Sequence, residues 1–474
     1  MDQLVSDRQV VFLSVASFAG VYCVLSLLTP ANSQVPLLAA VFVASNMFSR
    51  SQAFRRSVMA LQQWYQRIPR CGFHFVGSGD PGRFFSGDAS PTADSALLDS
   101  SKSELVSALR SLDAYQVNSK NYNERRRKLF KMMLWRQQKL CEEVGYSKKL
   151  KKIDAHITKN QAVFNQIIDV TKARYGFSYR DFGVQRAPTQ NTSSSNYRVV
   201  EALGHFVRDW SAVGATEINP MLDYIRDHLD KIVPAEEAQD TCVVLPGSGL
   251  GRVAHEVALH RDYGAVYAVE FSGLMHACHR FLYEKLKGPD DTVYSETHTL
   301  SPYIHTCSNF TKTESQFRLV EIPNGVQKPE NLQVILDDFR YFSIPEDRKF
   351  KNVVVVSVFF MDTAENLIDY IDVINQLTTP LTRSSVRNGY WINVGPLKYG
   401  TAAQVELNAS EFAQVRKKIG WNDLNTLNTL EEPSSKYCHD GVLGYITDKE
   451  SLWQGYYGLS MWTSAQKENQ RTCK

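Results

Sequence analysis

Gly247, Gly249 and Gly251 stand in "VVLPGSGLGRVAHEVALH", between an apolar run and an amphipathic one. Glycines at such a junction let the backbone turn sharply and approach a bound molecule closely. A tight turn of purely structural purpose would use the same residues. Glu270 ends the next apolar run, about 20 residues on, where a carboxylate can accept from both hydroxyls of a ribose. Asp338, in "VILDDF", can accept from an adenine amino group or cap a helix. Asp362 closes the most apolar run of all, "VVVVSVFFMD", and so puts another carboxylate over the same site.

These side chains converge only if the runs are strands of one sheet. Strands are expected at Thr241–Leu245, Ala265–Glu270, Leu332–Leu336, Asn352–Phe360 and Tyr390–Val394, with helical stretches between several of them. The helices expected before the first strand are Tyr197–Val213 and Asn219–Ile232; Arg252–His260 follows the glycine loop. Continuous apolar strands alternating with helices indicate a parallel sheet covered on both faces. Ligands bind such sheets at the carboxyl ends of the strands. The loop spacing, G-x-G-x-G, departs from the dinucleotide fingerprint G-x-G-x-x-G, whose amides hold a pyrophosphate. It fits better the loop with which Rossmann-like methyltransferases hold S-adenosylmethionine. Glu270 suits either cofactor. No Tyr-x-x-x-Lys or similar hydride-transfer pair favours an oxidoreductase.

The rest of the chain is less specific. Its 474 residues carry a net charge of +3, which by itself marks neither a nucleic-acid binder nor a partner of acidic substrates. Eight cysteines show no metal-like spacing, in keeping with reduced thiols. No charge occurs from Gln9 to Ser49, and Val10–Leu28 is long enough to cross a bilayer core. Residues 10–48 are therefore expected to form a membrane anchor, as one span or a hairpin; a buried helix is the alternative, and a signal peptide fits poorly. Arg50, Arg55, Arg56, Arg67 and Arg70 follow, which orients the remainder toward the cytoplasm; without an anchor the chain would simply be cytoplasmic. The basic runs "RRRKLFK" and "KKLKK" read as a solvated helix face, with anionic lipid as the functional alternative and nucleic acid a distant third. Four regions result: a hydrophobic anchor at 1–50, a linker at 51–100, a helical region at 101–190 and a Rossmann-like α/β domain at 191–474. A polar loop, "QRAPTQNTSSSN", marks the last boundary.

From about Lys102 to the C-terminus the sequence resembles the carnosine N-methyltransferases, which methylate the imidazole of histidine-containing dipeptides. The resemblance is carried by "FVRDWS", "PGSGLGR", "VEFS", "PYIHTCSN", "DDF", "FFMDTAENLIDYID", "YWINVGPLKY" and "GYYG", in that order. It implies S-adenosyl-L-methionine as cofactor. It implies that Arg208 reaches the cofactor carboxylate, with His205 where the family commonly has Gln. Gly247, Gly249, Gly251 and Arg252 would line the methionine end, Glu270 the ribose, and Asp338 with Phe339 the adenine. Asp362 would hold the substrate imidazole and act as the catalytic group, and Tyr445 and Tyr457 would close the dipeptide pocket. One position departs: the family's substrate-contacting histidine after "GPLxY" is Gly400 here.

The implied reaction is an in-line displacement at a sulfonium methyl group, accelerated mainly by positioning. It requires neither a metal nor a nucleophilic side chain. A neutral imidazole offers one ring nitrogen as nucleophile, and a carboxylate on the other nitrogen fixes the tautomer and can take the proton. Gly400 leaves room for a different acceptor, either another imidazole, an amine or a protein side chain, or for a homologue that has lost turnover. A homodimer is admitted by the sequence without being specified.

Overall fold

The computed structural model describes residues 99–177, 192–286, 296–379 and 385–466. The expected anchor, residues 10–48, and the expected linker as far as residue 98 lie outside the described residues. Among the described residues no helix is long and apolar enough to cross a membrane.

The first part is helical: α1 (Asp99–Asp113), α2 (Tyr115–Lys131), α3 (Trp135–Glu143) and α4 (Tyr146–Tyr175). On α4 the buried residues Leu150, Ile153, Ile157, Phe164 and Ile168 recur at helical spacing, which makes one apolar stripe. Next come α5 (Thr192–Trp210) and α6 (Ala215–Ile232). The polar sequence at 192–196, expected as loop, is thus the first turn of α5. Its serines and threonine are poor helix formers in isolation, but they favour helix starts.

The sheet has strands β1 (Thr241–Pro246), β2 (Ala265–Glu270), β3 (Thr297–Leu300), β4 (Val320–Pro323), β5 (Leu332–Leu336), β6 (Asn352–Val358), β7 (Asn388–Gly395), β8 (Trp421–Asn428), β9 (Leu443–Gly444), β10 (Tyr456–Tyr457) and β11 (Ser460–Gln466). Seven of them form one sheet in the order β5-β2-β1-β6-β7-β11-β8. The first five are parallel, and β11 runs antiparallel between β7 and β8. Strand order reverses between β1 and β6, which creates a switch point at their carboxyl ends. β3 pairs with β4, and β9 with β10, outside this sheet.

Alternate residues of the buried strands feed opposite faces. Val243, Leu245, Val354 and Val356 pack on one side, and Cys242, Val244, Val353 and Val355 on the other. The helix α7 (Arg252–His260) follows β1, α8 (Gly273–Leu282) follows β2 and α9 (Leu367–Thr378) follows β6. The helical region shares a core with this unit: Leu105 and Leu109 of α1 cluster with Leu250, Leu274 and Leu336. The Ser101 hydroxyl donates to the Leu336 carbonyl at 3.0 Å.

Two features differ from the expectation. Strands β3, β4 and β8 to β11 fall outside the expected set; in the main sheet β8 forms the edge, with half of its residues exposed, and lacks a continuous apolar run. And β6 ends at Val358, not at Phe360. Phe359 adopts φ 49° while its N–H donates to the Val394 carbonyl at 2.8 Å, and this left-handed residue breaks the strand.

Candidate active site

The glycine loop leaves β1 at the switch point. Gly249 has φ 55°, and a Cβ built there meets nothing within 4 Å, so this residue faces open space. Gly251, with φ 76°, has the opposite surroundings: a Cβ would lie 1.8 Å from the ring of His279 on α8. The loop therefore needs glycine once for approach and once for packing. Glu270, at the end of β2, is buried. Its carboxylate accepts from the N–H of Gly249 at 2.7 Å and from that of Ser272 at 2.8 Å. Burial raises its pKa, against the pull of these backbone donors. A carboxylate has more lone-pair sites than these two bonds use.

Above the loop lies a partly open cleft lined by His205, Arg208, Gly247, Ser248, Gly249, Phe359 and Tyr445 among others. Arg208, near the end of α5, bonds Asp209 through Nε at 2.6 Å. Its guanidinium lies 4.8 Å from the centroid of the Tyr445 ring. Its Nη1 is buried and has no hydrogen-bond partner among the described residues. Burial alone would lower its pKa, but Asp209, then Tyr445 and Glu217, raise it, so the group stays charged. Burial, with Arg208 next, pushes the His205 imidazole down to about 4; it is neutral near pH 7. Its Nδ1 and the Ser248 hydroxyl are likewise buried without partners among the described residues.

The other residues anticipated from sequence are placed as follows. Asp338 caps the 3-10 turn Phe339–Tyr341, accepting from Arg340 N–H at 2.9 Å, and its carboxylate pairs with the Arg340 side chain. Phe339 is buried edge-on to Phe360, ring centroids 5.5 Å apart. Arg252 is absent from the cleft lining, as are Gly251, Glu270, Asp338, Phe339, Asp362, Gly400 and Tyr457; Arg252 pairs with Glu256 at 2.8 Å and lies over the Trp210 ring. Asp362 sits in the 3-10 turn Met361–Thr363, three residues past the cleft-lining Phe359. It is buried and accepts from the backbone N–H of Lys398 at 3.0 Å. Burial lifts its pKa from 3.8 to about 6, against that hydrogen bond. Among the described residues no cation pairs with it, while its charge is felt at Tyr399 and Tyr445. Tyr445 stacks on Phe359 at 4.8 Å, and Tyr457 packs edge-on to both rings. At Gly400 a Cβ would meet nothing within 4 Å.

Two contributors escaped the sequence analysis. Glu217 on α6 accepts from Ile446 N–H and Thr447 N–H, both at 2.7 Å, and so holds the segment carrying Tyr445. Ile446 has φ 53°, strain that persists only when the surroundings enforce it. The available signal was a carboxylate on the same stripe as the buried Met221 and Ile225, four and eight residues on. Lys398 is the other: its ammonium lies 5.7 Å from the Tyr457 ring centroid, beside Asp362 through its own backbone.

A glycine loop at the switch point, an acidic residue ending β2 and an antiparallel strand, β11, between β7 and β8 define a Rossmann-like methyltransferase. The carnosine N-methyltransferase profile matches residues 185–468, and the chain belongs to that family. Among individual relatives, the uncharacterized protein YMR209C of Saccharomyces cerevisiae is 28% identical over 75% of this chain and 80% of its own length. The carnosine N-methyltransferase of Schizosaccharomyces pombe is 26% identical over 56% of this chain and 69% of its own. That of Rattus norvegicus is 26% identical over 72% and 84%. Among solved structures, magnesium protoporphyrin IX methyltransferase of Synechocystis covers 59% of this chain and 97% of its own at 10% identity and a TM-score of 0.29. The fold stands on the chain's own strand order, not on a likeness of that size.

The cofactor of this family is S-adenosylmethionine, and the residues present fit it. The unpartnered Nη1 of Arg208 suits a carboxylate, and Glu270 suits vicinal hydroxyls beside the open Gly249.

Proposed function

We propose that this chain transfers a methyl group from S-adenosylmethionine to an imidazole nitrogen of carnosine or a related histidine-containing dipeptide. The observation that carries the reading is Asp362: a buried carboxylate at the tip of β6, free of any cationic partner among the described residues. Family membership supports the same acceptor class. The cofactor, when bound, supplies the methyl group and a good leaving sulfur. In this reading Arg208 and His205 hold its methionine end, Gly247 and Gly249 give it backbone room, and Glu270 takes the ribose. Asp338 is committed to Arg340, so Phe339 does more for the adenine than Asp338.

Asp362 accepts the N–H of the neutral acceptor ring, which leaves the lone pair of the other nitrogen for attack. As the ring becomes an imidazolium, the ionised carboxylate stabilises the new charge and then takes the proton. A carboxyl near 6 is close to imidazole's own value of about 6.5, which brings that transfer near to balance where an ordinary carboxylate would be a much poorer acceptor. In this reading Tyr445 and Tyr457 wall the acceptor, and the Lys398 ammonium, 5.7 Å from the Tyr457 ring centroid, would meet an acceptor carboxylate.

A second acceptor class is favoured by one observation, the open space at Gly400, which accommodates a larger imidazole compound or a protein histidine. The two are separated by incubating the full chain with labelled cofactor and carnosine, homocarnosine, histidine or a cell extract. Label on carnosine supports the first reading. Label only on extract protein replaces it with the second, and cofactor binding without transfer to anything refutes both. The uncharged segment 10–48 and the arginines after it support attachment to a membrane with the catalytic unit on the cytoplasmic side.

A further inference from the structure

The helix α3 has no buried residue. A helix of nine residues is marginal by itself in water, and its stability ordinarily comes from packing an apolar face. The turn entering it and the turn leaving it are no better covered. Met132 is 80% exposed, Leu134 71% and Trp135 68%; Leu129, Leu140 and Val144 are exposed as well. Scattered exposed apolar residues need no explanation, but a contiguous set marks an interaction surface.

The charges around this tip say what kind. Between Arg125 and Cys141 there are seven basic residues and no acidic one. Arg126 and Arg127 are used within the protein, on the His305 carbonyl and on Asp154. Lys128, Lys131, Arg136 and Lys139 pair with no carboxylate among the described residues, and Arg136 lies 5.6 Å from the Trp135 ring centroid. An isologous contact with a second copy would set this cationic collar against itself. A Trp, Leu and Met tip inside a ring of Lys and Arg has the composition of a segment that enters the headgroup region of an anionic bilayer.

We infer that the α2–α3 tip, residues 129–144, is a membrane-contact site that inserts Leu134 and Trp135 into an anionic lipid surface. Its partner is the bilayer itself, recognised by headgroup charge and acyl-chain boundary, with no covalent step. The site is separate from the methyl-transfer cleft and does not depend on which acceptor that cleft takes.

The test uses the full chain with vesicles of phosphatidylcholine alone or with phosphatidylserine. Because residues 10–48 can hold the chain to lipid independently, Trp135 is read out directly, as the difference in emission between wild type and Trp135→Phe. With phosphatidylserine the difference signal shifts to the blue and is quenched by brominated acyl chains; with phosphatidylcholine alone both effects are weak. Lys128→Glu with Lys131→Glu lowers the phosphatidylserine response about tenfold, while Leu134→Glu abolishes the quenching without lowering the melting temperature. The proposal is overturned if Trp135 stays unquenched on phosphatidylserine. It is equally overturned if Trp135 is already blue-shifted without lipid, which would mean that the chain's own residues cover it. Concentration-dependent self-association that Leu134→Glu abolishes would assign the tip to a second copy instead.

Discussion

Replacing Asp362 by Asn should make the protein more stable and less active at once. The carboxyl is buried, and its pKa rises from 3.8 to about 6. At about 1.4 kcal/mol per pH unit, keeping it ionised near neutrality costs the fold about 3 kcal/mol relative to the unfolded chain. The sign follows from the direction: a raised carboxyl favours the folded state at low pH, and the advantage is lost as pH rises through about 4 to 6. Asn carries no charge to bury, and its side-chain oxygen can still accept from Lys398 N–H. Near neutral pH the melting temperature of Asp362→Asn should exceed that of wild type by about 3–6 °C, at roughly 2 °C per kcal/mol. The gap should close as the pH is lowered to about 4. Turnover should fall by about a hundredfold or more, because the acceptor loses its proton acceptor and the charge opposite the forming imidazolium. Cofactor affinity should stay within a few fold of wild type. Differential scanning calorimetry across pH, with single-turnover methyl transfer on the same samples, reads both effects. An Asn variant that melts below wild type near neutrality, or that turns over comparably, refutes the account of Asp362.

Glu270→Ala should act in the opposite manner: titration calorimetry should show about 30-fold weaker cofactor binding, equivalent to about 2 kcal/mol for a charged hydrogen-bonding group, with a smaller change in turnover at saturation. Glu217→Ala leaves the N–H groups of Ile446 and Thr447 without their acceptor; it should raise the acceptor KM and speed hydrogen exchange across residues 443–457, while Glu217→Gln restores part of both. Gly400→His should fold with unchanged stability, since a Cβ there meets nothing, and should increase the preference for carnosine over larger acceptors.

Much of this molecule could be read from local pattern. The buried strands β1, β2 and β6 are nearly continuous apolar runs, because a parallel sheet covered on both faces demands it, and the glycine loop announces itself because few other residues tolerate its backbone. Asp362 could be placed at a strand tip by counting along "VVVVSVFF", within a few residues of the strand's actual end. The edge strand β8 could not be read, since half of its residues are exposed and its place is set by pairing with β11. Tertiary structure alone decided that Arg208 keeps one buried N–H without a partner, that Asp338 is taken by Arg340, and that Glu217 grips a segment some 230 residues away in sequence. Charge, burial and hydrogen-bond supply at a point in space depend on which distant segments meet there. Residue type and spacing along the chain record the helices, strands and turns that bring them together, but not the company each side chain finds on arrival.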